Sequence, residues 1–465
     1  MRQISNLQQK TKMNSINRSL IALSLVAASV VGVSAQESAT GYFMENYNSK
    51  WQMNPAFGNR SNYVGMPGLG NLNVAANGNF SPTDIVYPLG GKTVLFTNPG
   101  ISSQEVLGNL KNVNRFSANV NEAILQGGFK AFGGYNNVSI SAKAQASVAL
   151  PKSIFSLVKE GIGNNEYDIK DLHAKAEAYA EIAFNHSRDI KWVPGLRAGV
   201  SLKFLLPIGF AEADFNDLNL VLGEDNWHAR SKARLRFGMD GARYDTKVND
   251  RTGNRYVSGL DMDDYKFGIN GFGFGIDLGA SYEWKDFNFS LAFTDLGVIR
   301  YNSVQEASTN GTKEFETAAH PIAIGDDGKS WDDLVDALSP LYELHDNGTV
   351  SSSTSLLGKM RVGVDYKFPY YDKLHFGLMN TTSLSSMFPS TEFRLSANVE
   401  PVKGVAVSVS GAAGTYGANY GFLLSLGNKG FNFLLGMDYA ALKMDKNSIP
   451  LTSNVDVHLG INFPF

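Results

Sequence analysis

The chain ends on VDVHLGINFPF, residues Val455 to Phe465, in which apolar and polar positions alternate strictly. Every odd-numbered residue is apolar, and none of the residues between them is both large and apolar. A period of two is typical of a β-strand with one apolar and one polar face. Composition alone gives roughly 0.2 such matches in a chain of this length, so one match decides nothing and many would decide the fold.

The same alternation recurs along the sequence. The segments are VSISAKAQASVAL (138–150), LRAGVSLKFL (196–205), GFGFGIDLGASYEW (271–284), FNFSLAF (287–293), MRVGVDYKF (360–368), FRLSANV (393–399) and FNFLLGMDY (431–439). Chance does not produce this set. The sequence therefore predicts an all-β chain whose long strands each have one apolar face.

Connections between these segments have two lengths. The tight turns are EWKD (283–286), PYYDK (369–373), PVKG (401–404) and GNKG (427–430). Residues 240–266 and 300–356 are long and polar instead, and we interpret them as extracellular loops. Short turns at one end and long loops at the other are typical of a transmembrane antiparallel β-barrel. We predict about 14 strands, or 16 if LNVAANGNF (72–80) also crosses, because such barrels have even counts.

A soluble β-sandwich or propeller would also alternate. Its strands would average about five to six residues, and its apolar face would pack on another sheet. The segments here are nearer the roughly 9–11 residues that cross a bilayer at a tilt. One of them, HAKAEAYAEIAF (His173–Phe184), has the composition of a helix. A helix would place Glu177 and Glu181 in a repulsive pair, so we favour a strand.

The N-terminus has the pattern of an export signal. Arg18 precedes the apolar run LIALSLVAASVVGV (Leu20–Val33), and small residues follow up to Ala35. This run is shorter than the ~20 residues of a membrane-spanning helix. Residues 1–35 are therefore predicted to be a signal peptide cleaved near Ala35, with Met13 as an alternative start. Export of a chain of amphipathic strands predicts the cell outer membrane.

Composition narrows the remaining functions. A net charge of −3 gives no basic patch for nucleic acid, and the absence of Cys excludes disulfides and thiolate metal sites. None of the seven His has the spacing of a helical metal site, and IGDDGKSWDD (324–333) lacks the spacing of a calcium loop. Ser330 and Asp333 predict the capped start of a short helix over 329–341. We expect no metal, no cofactor and no enzymatic activity.

Residues 36–115 differ from the rest of the chain. They are rich in Gly, Asn and Pro and show few regular patterns, which would suit a disordered tail. They also carry many aromatic and aliphatic residues, which favours burial. We predict that residues 36–115 form a hatch inside the lumen and that residues 116–465 form the barrel.

The clearest charged pattern is HARSKARLRFGM (228–239). Arg230, Lys232, Arg234 and Arg236 fall on one face of a single strand. A cation facing mid-bilayer lipid costs ~2–4 kcal/mol, so this ladder is predicted to face the lumen or to lie above the membrane. Polar-face positions on other strands add four more lumen-lining candidates: Arg197, Lys203, Arg361 and Arg394.

Two interpretations of these cations stay open. They could attract an anionic solute or a carboxylate head group. They could instead form a structural network, which we favour; the predicted partners are Glu177, Glu181, Asp277, Asp365 and Glu400.

Three motifs resemble known outer-membrane proteins. Terminal Phe465 resembles the signal by which the barrel-assembly machinery recognises its substrates. WQMNPAF (Trp51–Phe57) resembles the Asn-Pro-Ala motif, here Asn54, Pro55 and Ala56, of long-chain fatty-acid transporter-type barrels. Residues 271–301 resemble a hairpin of that superfamily in Bacteroidota, which includes an uncharacterised barrel family and relatives of type IX secretion barrel subunits. The resemblance implies a barrel of roughly 14 strands with an N-terminal luminal hatch.

Two functions follow as expectations. The first is passive transport of a hydrophobic or amphipathic small molecule through a hatch-gated lumen. The alternative is a non-transporting scaffold, or a secretion-associated barrel, that binds a secretion or surface protein. In either case the outer-membrane lipid surrounds the barrel.

Overall fold

The structure is a computed structural model. It describes residues 38–160, 165–222, 227–250, 252–316, 339, 341, 343–385, 388–428, 430–440 and 454–465. The predicted signal peptide (1–35), the acidic turn at 324–333 and nearly all of the helix predicted over 329–341 lie outside these residues.

Fourteen antiparallel strands form a closed barrel. In chain order they are β1 (Tyr63–Gly65 and Leu72–Gly78), β2 (Val113–Ala131), β3 (Gly134–Pro151), β4 (Leu172–Asp189), β5 (Leu196–Leu222), β6 (Trp227–Met239 and Gly271–Trp284), β7 (Phe287–Ser308), β8 (His345–Ser355 and Lys359–Lys367), β9 (Leu374–Ser383), β10 (Thr391–Val402), β11 (Val405–Gly414), β12 (Gly417–Asn428), β13 (Phe431–Met437) and β14 (Val455–Pro464). Each pairs with the next, and β14 pairs with β1 to close the barrel.

The alternation in sequence becomes the two faces of this wall. On β14, Asp456, His458 and Asn462 are buried, while Val457 is 38 % exposed and Phe463 40 % exposed. The same holds around the barrel, where exposed Phe, Leu and Val side chains face outward and Ser, Asn and charged side chains face inward. This is the architecture of a transmembrane barrel whose outer surface meets lipid.

The four tight turns predicted from sequence lie at the end of the barrel that carries Phe465, and the turn between Gly414 and Gly417 lies at the opposite end. Short turns are periplasmic in barrels of this class, so this is the periplasmic end. Large aromatic side chains are exposed there: Phe132, Trp192, Trp284, Tyr370 and Phe465. Amphipathic rings prefer the membrane–water interface, and these residues form an aromatic girdle.

The wall is taller on one side than on the other. Strand β5 has 27 residues and β7 has 22, whereas β9 and β11 have 10 each. Residues 300–308 and 345–355 continue this tall wall, so the long loop predicted over 300–356 begins too early and ends too late. The alternation of apolar and polar residues could not show where the membrane-spanning part ends, because the strands keep a period of two above the membrane. The loop over 240–266 contains a hairpin of Arg243–Val248 and Arg255–Asp261.

The N-terminal region is not one hatch, which corrects the boundary predicted at residue 115. Only its first part, Ser38 to Phe57, lies in the lumen, and we call this segment the hatch. Residues 63–78 form β1, because Asn73 and Asn77 face inward and their apolar neighbours face outward. The count of 14 therefore includes residues 72–78, and it stays at 14 because β6 and β8 are each built from two segments.

Residues 79–112 lie beyond the extracellular end of the barrel. They contain a hairpin of Val86–Leu89 and Lys92–Leu95, the 3-10 turn Pro82–Asp84 and the helix α1 (Ser103–Asn109). With the helix α2 (Lys152–Glu160) they enclose a small apolar core around Tyr87, Val106 and Phe155. We call residues 79–112 together with α2 the outer subdomain.

Two shorter strands, Asn165–Asp168 and Lys313–Glu316, extend the wall above β5 and β6. None of the helices in the described part of the chain is long and apolar enough to cross a membrane.

Candidate functional site

The hatch crosses the lumen from one wall to the opposite wall. Its backbone turns repeatedly and includes the 3-10 turn Asn48–Gln52. Tyr42, Trp51 and Asn54 are almost fully buried, although they lie in an irregular segment. A disordered tail, the alternative weighed from composition, is therefore not what these residues form.

Asp438, directly after β13, holds the first end of the hatch. Its carboxylate accepts hydrogen bonds from the backbone N–H groups of Ala39 (2.6 Å) and Thr40 (2.7 Å). The hydroxyl of Ser38 donates to the same carboxylate at 3.2 Å. We call these contacts the carboxylate latch. Hydrogen bonds to a buried charged group are the strong ones in proteins.

A chain of buried groups on β14 positions the latch. The carboxylate of Asp456 accepts the backbone N–H groups of Asp438 and Tyr439. The ring of His458 bonds to Asp456 on one side and to Asn73 of β1 on the other. The latch therefore depends on the seam where β14 meets β1.

Arg394 of β10 completes the first end. One guanidinium nitrogen donates to the hydroxyl of Thr40 at 3.2 Å and to the backbone oxygen of Asp438 at 3.3 Å. Another donates to Glu392 at 2.8 Å. The hydroxyls of Thr40 and Ser410 are 2.8 Å apart. This predicted lumen-lining cation thus contacts the hatch itself.

The Asn-Pro-Ala motif forms the second end. The Asn54 side chain accepts the backbone N–H of Ala56 at 3.0 Å and donates to the hydroxyl of Tyr42 at 3.1 Å. The amide of Asn185 on β4 donates to the backbone oxygen of Pro55 at 3.0 Å. The motif is therefore a tight turn that packs against the barrel wall as one unit.

Two glycines make room for that turn. Gly199 on β5 and Gly279 on β6 lie opposite each other in register. A Cβ atom at Gly199 would overlap the backbone oxygen of Pro55, and one at Gly279 would overlap the side-chain oxygen of Asn54. We call this pair the glycine niche. Only glycine allows the two backbones to approach so closely.

Two more of the predicted cations bind backbone oxygens of the hatch. Arg197 donates to Ala56 at 2.8 Å and also pairs with Asp189 at 2.9 Å. Arg361 donates to Met53 at 3.4 Å and to the hydroxyl of Thr294 at 3.0 Å. With Arg394, three of the eight candidates hold the hatch in place.

The middle of the hatch packs on the low wall through apolar contacts. Tyr42, Met44, Tyr47 and Met53 form one buried cluster with inward-facing residues of β9, β11, β12 and β13: Met379, Ala406, Leu423 and Leu434. The ring of Phe43 lies where glycine on β8 and β9, Gly363 and Gly377, leaves space. The hatch is thus shaped to this lumen along its whole length.

A cavity lies on each side of the hatch. The upper cavity, of about 150 Å³, reaches the extracellular end and has Ala39 in its floor. The lower cavity, of about 960 Å³, opens to the periplasmic end and is lined by Tyr42, Phe43 and Phe57 on the hatch side. The hatch is what separates the two.

The other five candidate cations form a separate network on the tall wall. Arg230 pairs with Asp217 at 3.0 Å, Arg234 with Asp214 at 2.9 Å, and Arg236 with Glu212. Lys203 bridges Asp277 (2.8 Å) and Asp295 (2.7 Å). Lys232 is exposed and lies opposite Asp217 in register.

These pairs correct the partners expected for the ladder Arg230–Arg236. Asp277 pairs with Lys203, as predicted for the eight cations, whereas Glu177, Glu181, Asp365 and Glu400 have other neighbours. The ladder bonds instead to the strand beside it, β5. Arg234 and Arg236 lie opposite Asp214 and Glu212 in register, and Arg230 reaches Asp217 diagonally. These partners lie only 13 to 24 positions away in sequence, on the preceding strand.

Two groups of histidine and carboxylate have the proximity of metal ligands: His173, Glu212 and Asp214, and Asp438, Asp456 and His458. In the first group the carboxylates bond to Arg236 and Arg234. In the second the carboxylates accept backbone N–H groups. The donors already present satisfy the acceptor sites of these carboxylates, so the arrangement suits a structural network better than a cation.

The latch and the niche escaped sequence reasoning. Asp438, Gly199 and Gly279 lie in alternating segments, where the sequence gives no sign of the residues that they contact. A usable signal existed for the glycines, since both fall on inward-facing positions of long strands where side chains normally fill a lumen. Phe465 lies at the end of β14, where its N–H donates to Asn62, and its role in assembly stays a prediction.

A family model matches residues 55–438, and its description is a family of unknown function, DUF5723. The chain belongs to this family. The match begins at Pro55, inside the Asn-Pro-Ala motif, and ends at the latch residue Asp438, so it covers nearly all of the barrel wall but only the last three residues of the hatch. The description of the family leaves the activity of its members open.

Solved barrels are similar to the chain at low identity. The toluene transporter TbuX of Ralstonia pickettii is 9 % identical over 93 % of this chain and 95 % of its own, with a TM-score of 0.39. The monoaromatic hydrocarbon channel CymD is 9 % identical over 94 % and 98 %, with a TM-score of 0.42. The toluene transporter TodX of Pseudomonas putida is 7 % identical over 93 % and 94 %, with a TM-score of 0.38. No curated protein matches the chain.

Proposed function

We propose that the protein is an outer-membrane channel for passive transport of a small amphipathic molecule, gated by the hatch. The observation that carries the proposal is the pair of cavities on the two faces of the hatch. A solute that enters the upper cavity needs only the hatch to move in order to reach the lower one.

The lining of the upper cavity favours an amphipathic solute over a purely hydrophobic one. Amide and hydroxyl side chains such as Asn119 and Thr381 share it with Leu356 and Tyr416. A hydrocarbon would leave the polar groups without hydrogen-bond partners, which is costly in a confined space. A molecule with polar and apolar faces would satisfy both kinds of lining.

An engineered disulfide tests whether the hatch moves. The chain has no Cys, so Thr40→Cys with Ser410→Cys creates the sole thiol pair, at positions whose hydroxyls are 2.8 Å apart. Oxidation ties the hatch to β11, and we expect uptake of an amphipathic dye into proteoliposomes to fall several-fold. Reduction should restore it.

The single variant Thr40→Cys is the matched control, since it carries one thiol and cannot form the crosslink within the barrel. Equal flux in the oxidised and reduced double variant would remove the hatch from the transport path. Zero flux in every state, including the wild type, would favour the second function.

That second function is a partner-binding barrel, and the outer subdomain favours it. Residues 79–112 and α2 build an apolar core of their own outside the membrane, which a channel does not need. Recovery of one surface or secretion protein by the wild type, and its loss on deletion of residues 83–110, would support this alternative. Kinship with type IX secretion barrel subunits and with Bacteroidota stays a prediction.

The same proposal places the protein in the cell outer membrane. The exposed Phe, Leu and Val of the wall and the periplasmic girdle are the features that support contact with lipid. Recognition of Phe465 by the barrel-assembly machinery belongs to this proposal, and deletion of that residue should lower the amount of folded barrel in outer-membrane fractions.

A further inference from the structure

The upper cavity has one wall of uncharged polar side chains. They lie on three neighbouring strands, where Asn77 of β1 is opposite Ser117 of β2, and Asn119 of β2 is opposite Gln145 of β3. The lower cavity differs, since its lining includes many charged residues such as Lys130, Asp189 and Asp286. The upper cavity also has more amides in its lining, namely Asn77, Asn119, Asn121 and Gln145, against Asn59 and Asn288 in the lower cavity.

Amide side chains complement hydroxyl groups. Asn and Gln each present donors and acceptors a short distance apart, and a hydroxyl group is both a donor and an acceptor. Two buried hydroxyls that line the cavity, Ser147 Oγ and Thr381 Oγ1, have no hydrogen-bond partner among the described residues. Ser147 is only 7 % exposed, so its hydroxyl is a candidate hydrogen-bond group for a ligand in the cavity.

Aromatic side chains line the cavity beside this wall. Tyr179, Phe388, Tyr416 and Tyr439 all reach it, and the hydroxyl of Tyr439 donates to Glu392 at 3.2 Å. Aromatic faces carry partial negative charge and pack well on the C–H faces of a ring. Amides for hydroxyl groups and aromatic faces for C–H groups are together the chemistry that a sugar ring requires.

The charges of the cavity cancel. Lys143 and Lys359 balance Asp295 and Glu392 in its lining. Lys143 pairs with Glu181 at 2.8 Å, Asp295 with Lys203 at 2.7 Å, and Glu392 with Arg394 at 2.8 Å. Neither an anionic nor a cationic group of a ligand would find an unbalanced partner here.

We infer that the upper cavity binds a neutral saccharide. The inference rests on the proposed function in so far as this ligand is the transported molecule, whereas binding itself needs no movement of the hatch. Equilibrium binding therefore tests it separately from flux.

The experiment titrates the full barrel in detergent with maltose, cellobiose and chitobiose by calorimetry. Glucuronate and laurate serve as the charged and the apolar comparison. At least one neutral disaccharide should bind saturably, and Asn119→Ala and Tyr416→Ala should each weaken it about tenfold, which corresponds to about 1.4 kcal/mol. Asn254→Ala, in the exposed hairpin turn, should leave the affinity unchanged.

Heat-modified electrophoretic mobility shows that each variant is folded before it is titrated. Absence of saturable binding for all three disaccharides to the folded wild type would overturn the inference. Tighter binding of laurate than of every disaccharide, or equal losses from Asn119→Ala and Asn254→Ala, would overturn it as well. Saccharide binding without flux would leave this inference standing and count against transport.

Discussion

The two ends of the hatch are held by different kinds of interaction. At the first end, the side chains of Asp438 and Arg394 hold residues 38–40 through charge-assisted hydrogen bonds. At the second end, the turn of Asn54 to Ala56 fits a niche that exists because Gly199 and Gly279 lack a Cβ atom. One end depends on charge and the other chiefly on shape.

The difference indicates which end can open. A charge-assisted contact breaks and re-forms when an alternative partner, such as water or a polar ligand, replaces it. A close fit between two backbones has no such replacement partner, because the van der Waals contacts are lost when the turn leaves the niche. We therefore expect the first end to swing while the second end acts as the pivot, so that the gate opens on the side of β10 to β14.

The largest effect should come from filling the niche. Gly199→Val places side-chain atoms where the Pro55 backbone oxygen now lies, so the second end cannot dock. Overpacking of this kind costs about 3 kcal/mol at the upper end of the usual range. Hydrogen exchange over residues 38–57 should rise throughout, and the channel should conduct continuously in planar bilayers.

Gly411→Val on β11 is the matched control, since nothing lies within 4 Å of a Cβ atom at that position. It should leave both exchange and conductance as in the wild type. If Gly199→Val keeps the hatch fully protected, shape does not hold the second end.

Removing the charge of the latch should have an intermediate effect. Asp438→Asn keeps one acceptor but loses the ionised group that binds the N–H groups of Ala39 and Thr40. A hydrogen bond to a buried charge contributes about 2 kcal/mol. Exchange should rise over residues 38–44 only, while residues 54–57 stay protected.

This variant separates the two ends most directly. Equal loss of protection at residues 38–44 and 54–57 would show that the hatch moves as one rigid body, which contradicts a pivot. Asp240→Asn, an exposed carboxylate on the extracellular side, tests for a general effect of lost charge.

The smallest effect should come from Arg197→Lys. A lysine keeps the positive charge near Asp189 but loses the planar donor that reaches the Ala56 oxygen. Because the Arg197 side chain is 24 % exposed, solvent weakens its contribution to about 0.5–1 kcal/mol. Thermal unfolding should show a small decrease and conductance none. A large rise in conductance would mean that charge, and not the niche, secures the second end.

The barrel could be predicted from sequence because lipid imposes one rule on every strand. Residues 455–465 and 271–284 alternate cleanly, since one face meets hydrocarbon and the other meets the lumen. The tall wall could not be predicted, because above the membrane β5 keeps alternating while bulges at Ile208 and near Asp217 shift its phase. In that region, the sequence does not indicate where the strands end.

Only part of the site could be predicted from the sequence. The Asn-Pro-Ala motif and the eight cations are visible as residue types at inward positions. Their partners are not, because the contacts join residues such as Thr40 and Asp438 that are 398 positions apart. Residues 63–78 were misplaced for a related reason: β1 is short and interrupted, so its alternation is too brief to stand out against the irregular sequence around it.

The interruption of β1 has a mechanical consequence. Its two segments align eight residues with β14, three from Tyr63–Gly65 and five from Leu72–Ala76, and β13 aligns only five with β14, whereas β4 aligns eighteen with β5. Under tension, a barrel separates first between the strands that have the fewest paired residues. When a single molecule is pulled from its C-terminal residue, β14 should peel away first and at low force, while the tall wall should resist until last.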